Sequence, residues 1–316
     1  MGKQWLCLTI FWTASFGQLQ AQEADTSLLK LPSDSVLTFS DSLDIFNLID
    51  SLLTLEESAP RSQLAVRLGY NSNVFYAGRT LGIDQFGLSP GISYYHKSGL
   101  YADVSGFWSH DFDPEYYLTI LSAGYMHFFS KNFSLAGYYD RYFYNLDDVT
   151  IPYTNGLTIS PILDFKYLTF QCDYTFYFGE SNANRLMPSL TINVGKKKLW
   201  GIDRVTFNPA FYMLFGDETF TNIIIPSTPA EWLAARLRIQ QGLPWYKTET
   251  YSEFGTMNYS FSFPLNIRHR SFSMSVSYVY SIPKALPSES IIPPESGFVT
   301  AGVTYYFNFR KSKSTF

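Results

Sequence analysis

Few residues of this 316-residue chain could carry catalysis, and their spacing works against it. A serine hydrolase needs a serine bonded to a histidine base that a carboxylate orients. Four histidines are present, His96, His110, His127 and His269, and two stretches place serine close to one of them. They are His96-Lys97-Ser98 and the run Ser109-His110-Asp111. Successive residues of a strand point to opposite faces, so Ser109, His110 and Asp111 do not form a triad by themselves. No catalytic residue is expected. Cys7 lies in an apolar leader, which leaves Cys172 alone, so neither an internal disulfide nor a cysteine-based zinc cluster can form. No metal and no cofactor is expected either.

The other chemistry-bearing residues are isolated charges inside alternating stretches: Arg67, Asp103, Asp140, Asp164 and Asp173. Charge is scarce, at 16% of residues against about 25% in ordinary soluble domains, whereas 18% are aromatic, with 24 Tyr and 28 Phe. Soluble enzymes rarely have this composition. The pI of about 5.6 and the lack of a basic stripe argue against a nucleic-acid partner. After the leader, no apolar run approaches the roughly 20 residues of a spanning helix.

The elements that hold these charges repeat with period two from about residue 62 onward, which signals strands with unlike faces. Leu64, Val66, Leu68 and Tyr70 oppose Arg67, Gly69 and Asn71. Leu168, Phe170, Cys172, Tyr174 and Phe176 oppose Thr169, Gln171, Asp173 and Thr175. Met257, Tyr259, Phe261 and Phe263 oppose Asn258, Ser260 and Ser262, and Phe272 to Tyr280 alternate with serines. The closing strand, GFVTAGVTYYFNF, sets Val299, Ala301, Val303, Tyr305, Phe307 and Phe309 against Thr300, Gly302, Thr304, Tyr306 and Asn308. About twelve such strands can be counted.

A soluble sandwich buries the apolar faces, whereas a transmembrane barrel turns them to lipid and lines its interior with polar residues. Three features favour the barrel. The polar face is Ser, Thr, Gly and Asn instead of Lys and Glu. Aromatics gather at strand ends, as in Tyr94–Tyr95 and Tyr142–Phe143–Tyr144, where membrane–water girdles form. Connections alternate in length, short near Lys97–Gly99, Ser130–Lys131, Phe165–Lys166, Lys196–Asp203 and Ile267–Arg270, and mostly longer between. The pattern predicts a closed antiparallel up-and-down transmembrane β-barrel of about 12 strands, or 14 if Ala235–Gln240 (ARLRIQ) is an extra strand.

In these features residues 60–316 resemble a Gram-negative outer-membrane β-barrel, at the level of pattern and without a family signature. The resemblance implies residence in the outer-membrane bilayer and insertion by the barrel-assembly machinery. It also implies a C-terminal assembly signal in Tyr305, Phe307 and Phe309. The chain departs from the usual pattern by adding Arg310–Phe316, so either Phe309 or Phe316 serves as the terminal aromatic. Some outer-membrane barrels are Ser/His lipid hydrolases, and His96-Lys97-Ser98 has a phospholipase-like spacing. It falls at a short turn, however, on the wrong side of the membrane for that chemistry.

The N-terminus divides into a signal peptide over 1–22, with Lys3 and the apolar run Trp5–Phe16, and an acidic periplasmic segment over 23–59. Within the latter, Leu43, Phe46, Ile49 and Leu53 form a helical stripe that could plug the barrel, or dock a periplasmic partner through residues 41–57. A mobile tether is the alternative. In the long connection 217–249, Thr228, Pro229 and Glu231 spell a capping box and predict a helix near 229–239. That helix would cover or enter the mouth and bring Arg236 or Arg238 to the pore, beside Arg67, Asp103, Asp140, Asp164 and Asp173. The alternative is a helix that caps the barrel from outside. The functional expectation is a narrow passive channel or small-solute transporter. A non-conducting scaffold or accessory subunit is the alternative, and a lipid-modifying hydrolase a third reading.

Overall fold

Alternating side chains make each stretch a strand, and the twist of successive hairpins closes them into a ring. The computed structural model describes residues 62–72, 75–76, 79–80, 87–110, 113–145, 153–287 and 294–308. The expected signal peptide, the acidic segment with the helix expected within it, and the aromatics Phe309 and Phe316 lie outside the described residues. The first part of the chain contributes β1 (Gln63–Asn71), β2 (Phe75–Tyr76), β3 (Arg79–Thr80), β4 (Gly87–Tyr95), β5 (Leu100–Trp108), β6 (Tyr116–Phe128) and β7 (Phe133–Tyr144). There follow β8 (Tyr153–Phe165), β9 (Leu168–Gly179), β10 (Asn182–Ile192), β11 (Val194–Leu199), β12 (Ile202–Phe207) and β13 (Ala210–Ile224). The helix α1 (Pro229–Gln240) precedes β14 (Lys247–His269), β15 (Phe272–Pro283) and β16 (Ser296–Asn308).

β1, β4 to β10 and β13 to β16 pair in sequence order to form the twelve-stranded wall. β1 closes it against β16, antiparallel, from Gln63↔Asn308 to Asn71↔Thr300. The connection expected as a simple turn at Lys196–Asp203 is instead part of an additional hairpin, β11–β12, which makes the sheet 14-stranded without enlarging the ring. Pro209 has no N–H to give to the ladder, and it separates β12 from β13 along the long partner β14. The hairpin tip, Trp200–Gly201, has φ of 49° and 84°, the left-handed pair that a two-residue turn requires. ARLRIQ is the C-terminal half of α1 and not a strand.

The apolar faces point outward. Val66, Leu68, Ile92, Val104, Leu157, Ile159, Phe170, Met274, Val276 and Val303 are all exposed, while Ser93, Asp103, Asp140, Ser160, Asp173, Ser260 and Ser262 are buried inside. A soluble sandwich would reverse this, so the barrel is of the membrane-spanning kind. The interior is not uniformly polar. Near the long-loop end, Met187, Tyr212, Leu214, Met257, Val279, Leu286 and Phe298 pack together, and Phe107, Leu118, Ile120, Tyr142 and Tyr153 form a separate cluster. Met257, placed by parity on the lipid face, is 1% exposed. A register shift opposite Leu214/Phe215 turns it inward. At mid-height and toward the short turns the interior is polar and tyrosine-rich.

α1 begins with the expected capping box: Glu231 N–H donates to Thr228 Oγ1 at 3.3 Å, and Thr228 N–H donates to Glu231 Oε2 at 3.1 Å. Beyond its cap the helix is mostly exposed, with Ala235 buried, and Trp232 stacks on Trp245 at 5.9 Å.

Two outcomes follow. Val276→Arg puts a charge on the lipid face near mid-strand and is expected to destabilise the barrel by about 2–4 kcal/mol, read from denaturant unfolding in lipid vesicles; a matched substitution at Ser275 should be much milder. Backbone N–H bonds from Ser227 and Thr228 hold the Glu231 carboxyl below its ordinary range. A depressed folded value means the cap is fully effective above the unfolded value and is lost as pH falls through the folded one. Acidification through that window should therefore loosen α1, visible as a change in Trp232/Trp245 fluorescence that Glu231→Gln shows at all pH.

Candidate pore lining

The best-organised polar cluster is assembled by three neighbouring strands. Arg67 on β1 stands opposite Gly91 on β4, and Gly91 stands opposite Ser105 on β5. The Arg67 side chain lies across Gly91 to reach the far strand, and a Cβ on residue 91 would sit 2.8 Å from Arg67 Cζ. Its guanidinium grips Asp103 bidentately, Nη1 to Oδ1 at 2.5 Å and Nη2 to Oδ2 at 2.8 Å. Ser93 and Ser105 accept from Arg67 and donate to Asp103, at 2.5 Å and 2.6 Å for the latter bonds. Asp103 is 6% exposed. A buried ion pair repays its desolvation only with this kind of fork geometry and satisfied remaining lone pairs.

The other acids are solvated by hydroxyls and amides in place of cations. Asp140 on β7 accepts from Ser122 at 2.5 Å. Asp173 on β9 accepts from Ser160 and from Gln171 Nε2, the latter at 3.0 Å. Next to it Thr158 and Thr175 share a hydrogen bond at 2.8 Å. Further round the wall, Ser262 bonds Ser277 at 3.0 Å and Asn258 Nδ2 donates to Ser281 at 2.7 Å. Asp164 lies lower, at the β8–β9 turn, and accepts from Thr169 Oγ1 at 2.8 Å. The structure thus joins Arg67 to Asp103 and gives Asp140, Asp164 and Asp173 separate polar nests on the inward face.

Arg236 and Arg238 are not joined to this set. Arg236 is exposed on α1, and Arg238 Nε donates to the Pro244 carbonyl at 3.1 Å within the same long connection. Strand parity passed over Arg185, whose Nη1 lies 3.3 Å from Asp217 Oδ1 near the loop end. It also passed over Lys197, Arg204 and Arg268, which the additional hairpin and its neighbour bring together. The signal that could have found Arg185 and Arg268 was present, since both continue the inward parity of their strands. At the barrel's end, Tyr305 packs edge-on against Phe272 and Phe307 at 4.7 and 4.6 Å on the outer face.

The hydrolase candidates have local partners. His96 Nδ1 lies 2.8 Å from Ser98 Oγ in an exposed turn, and His110 Nδ1 lies 2.7 Å from Glu115 Oε1. Ser109 is fully buried. Among the described residues no group of three or more His, Cys, Asp or Glu side chains is placed to hold a metal ion.

Arg67→Ala leaves Asp103 buried without its cation and is expected to cost about 3–5 kcal/mol. The double variant Arg67→Met/Asp103→Leu should recover most of that loss, as measured by denaturant midpoints in detergent.

No protein-family model matches the sequence, and no curated protein sequence matches it. Among solved structures, the chain is similar to the KdgM porin (10% identity, 77% of this chain and 99% of that chain, TM-score 0.45). It is also similar to the NanC porin (11%, 77% and 98%, 0.41) and to LpxR from Salmonella typhimurium (10%, 78% and 100%, 0.38). The architecture rests on the closed ladder itself: the chain is a twelve-stranded antiparallel β-barrel of the outer-membrane type.

Proposed function

We propose that the protein is a narrow passive channel of the outer membrane for small hydrophilic solutes, without enzymatic activity. The observation that carries this reading is the polar middle of the interior, where Asp103, Asp140, Asp173 and a series of serine and threonine hydroxyls face inward. Water-filled barrel channels are lined by polar side chains of this kind. Charged rings and hydroxyls along a pore tune which solutes enter. The apolar tier around Phe298, Val279 and Leu286 narrows the path near the loop end, and hydrophobic constrictions gate pores by excluding water.

In this reading the chain reaches the outer membrane by signal-peptide-dependent export. The barrel-assembly machinery reads Tyr305, Phe307 and Phe309, and residues 41–57 are available to a periplasmic partner. The same apolar tier supports a second reading, a non-conducting scaffold, to which the exposed α1 with Trp232 and Leu233 would offer a docking element. The His96–Ser98 pair supports a lipid hydrolase less well, because the hydrogen bonds that define it bring no carboxylate to His96.

Single-channel recording in planar bilayers decides between the first two. Small discrete conductance steps are expected from the parent protein, and Leu286→Ala/Phe298→Ala should enlarge them several-fold. Silence of both proteins, with folding confirmed by circular dichroism, would sink the channel and favour the scaffold.

A further inference from the structure

A guanidinium stands on the outer, lipid-facing side of the wall. From Ser134 to Tyr142 the even-numbered residues of β7 are buried and the odd-numbered ones are not, so Arg141 shares the outer face with Tyr139 and Phe143. Its neighbour Asp140 points into the barrel. Arg141 lies eight residues along β7 from Phe133, where the strand leaves the short turn. At a rise of about 3.3 Å per residue and a strand tilt of about 40°, that is about 20 Å up the wall, close to the top of an apolar band roughly 25 Å tall. On β8 the outward residues Leu163, Ile159 and Leu157 are exposed apolar groups, and the next outward position, opposite Arg141, is Asn155. Hydrocarbon gives way to headgroups at this height, in the leaflet at the loop end.

The sheet departs from regular geometry at this spot. The β8–β9 register shifts between Tyr153 and Asn155 and leaves Thr154 as the extra residue. A bulge of this kind re-aims a side chain, and here Thr154 and Asn155 both meet Arg141. Nη1 donates to Thr154 Oγ1 at 3.1 Å and to Asn155 Oδ1 at 2.9 Å. Tyr139 OH donates to Asn155 Oδ1 at 2.6 Å. Asn155 Nδ2 donates to Thr154 Oγ1 at 3.1 Å and to the Phe178 carbonyl at 3.2 Å. The Phe143 ring centre lies 5.5 Å from the guanidinium carbon, within cation–π range.

The cluster has used its acceptors and kept its donors. Thr154 Oγ1 and Asn155 Oδ1 each accept two hydrogen bonds already, the full number for their lone pairs. Arg141 still has Nε–H and both Nη2 hydrogens, and Thr154 has its hydroxyl hydrogen. None of these has an acceptor among the described residues, and no described carboxylate pairs with Arg141. An arginine near a membrane surface ordinarily snorkels, sending its head into water. Here Nη1 is tied to the wall, which fixes the free edge of the guanidinium. On that edge Nε–H and Nη2–H form the parallel fork that grips two oxygens of one phosphate.

We propose that Arg141, with the Thr154 hydroxyl, is a binding site for the phosphate group of a lipid in the leaflet at the loop end. The phosphate supplies the acceptor oxygens that the cluster lacks, and the acyl chains lie along the exposed Leu157 and Ile159 below it. The site depends on the membrane-spanning barrel and stands whether or not the barrel conducts.

The test is native mass spectrometry of the detergent-folded full chain with three probes. Phosphatidylglycerol carries the phosphate, glucosyl diacylglycerol has the same tails without one, and inorganic phosphate has no tails. One phosphatidylglycerol is expected to stay bound at least tenfold more tightly than glucosyl diacylglycerol, and millimolar inorganic phosphate should not displace it. Arg141→Gln should weaken phosphatidylglycerol by roughly tenfold or more, the worth of one lost charge-assisted hydrogen bond, and leave glucosyl diacylglycerol unchanged. Arg141→Lys keeps the charge without the fork and should retain only part of the affinity, and Thr154→Val should lower it several-fold. If circular dichroism shows that Arg141→Gln does not fold, these two variants carry the test. Equal binding of the two lipids, displacement by inorganic phosphate, or phosphatidylglycerol affinity unaltered by the substitutions would each overturn the site. The last result would leave the donors of Arg141 to Asp147 and Asp148 of the β7–β8 connection.

Discussion

In hydrocarbon there is no water to satisfy a backbone N–H or C=O, and each orphaned group costs several kcal/mol. A sheet can live there only if its two edges pair with each other. The pairing of β1 with β16 is therefore the interaction on which the rest depends. It fixes an even ring of twelve strands, sends every second side chain outward to lipid, and confines the others in a narrow interior. The rim is less constrained. The additional β11–β12 hairpin leaves β11 as an edge, and lysines at 196 and 198 protect it.

Confinement explains the chemistry of the interior. A charge that points inward at mid-height leaves water almost as fully as one in a protein core, so it must be matched. Arg67 and Asp103 match each other across an intervening strand, which works because residue 91 is glycine and lets the guanidinium lie flat. Asp140 and Asp173 rely on hydroxyl and amide donors. The serine-rich inward faces of β14 and β15 follow the same logic, since short hydroxyls bond across the ladder, as Ser262 does to Ser277. The two ends differ in kind. The loop end is lined by apolar packing around Met257 and Phe298, and the turn end is cationic.

Much of the wall was legible because a strand's period is short and strict. The parity of Leu64 to Asn71 or of Phe272 to Tyr280 assigns faces with no knowledge of neighbours, and the capping box at Thr228 announces α1 from three residues. Parity failed at Met257, where a bulge two strands wide in its cause cannot be seen along one strand. It was incomplete at Lys196–Asp203, where hydrophobic alternation stops and charged pairs such as Lys197↔Arg204 carry the hairpin instead. Val279 and Phe298 already lay on the inward parity; that they pack together into an apolar tier depends on which strands meet around the ring.

The amino-acid sequence by itself determined the two-faced strands, the apolar exterior and the capped helix, because each follows from local periodicity and local hydrogen bonding. Tertiary structure alone decided which inward residues meet. Register set Arg67 over Gly91 against Asp103, raised the apolar tier at one end, and gathered Lys197, Arg204 and Arg268 into one row at the other. Those juxtapositions depend on the stagger between strands distant in sequence, and ring closure fixes that stagger.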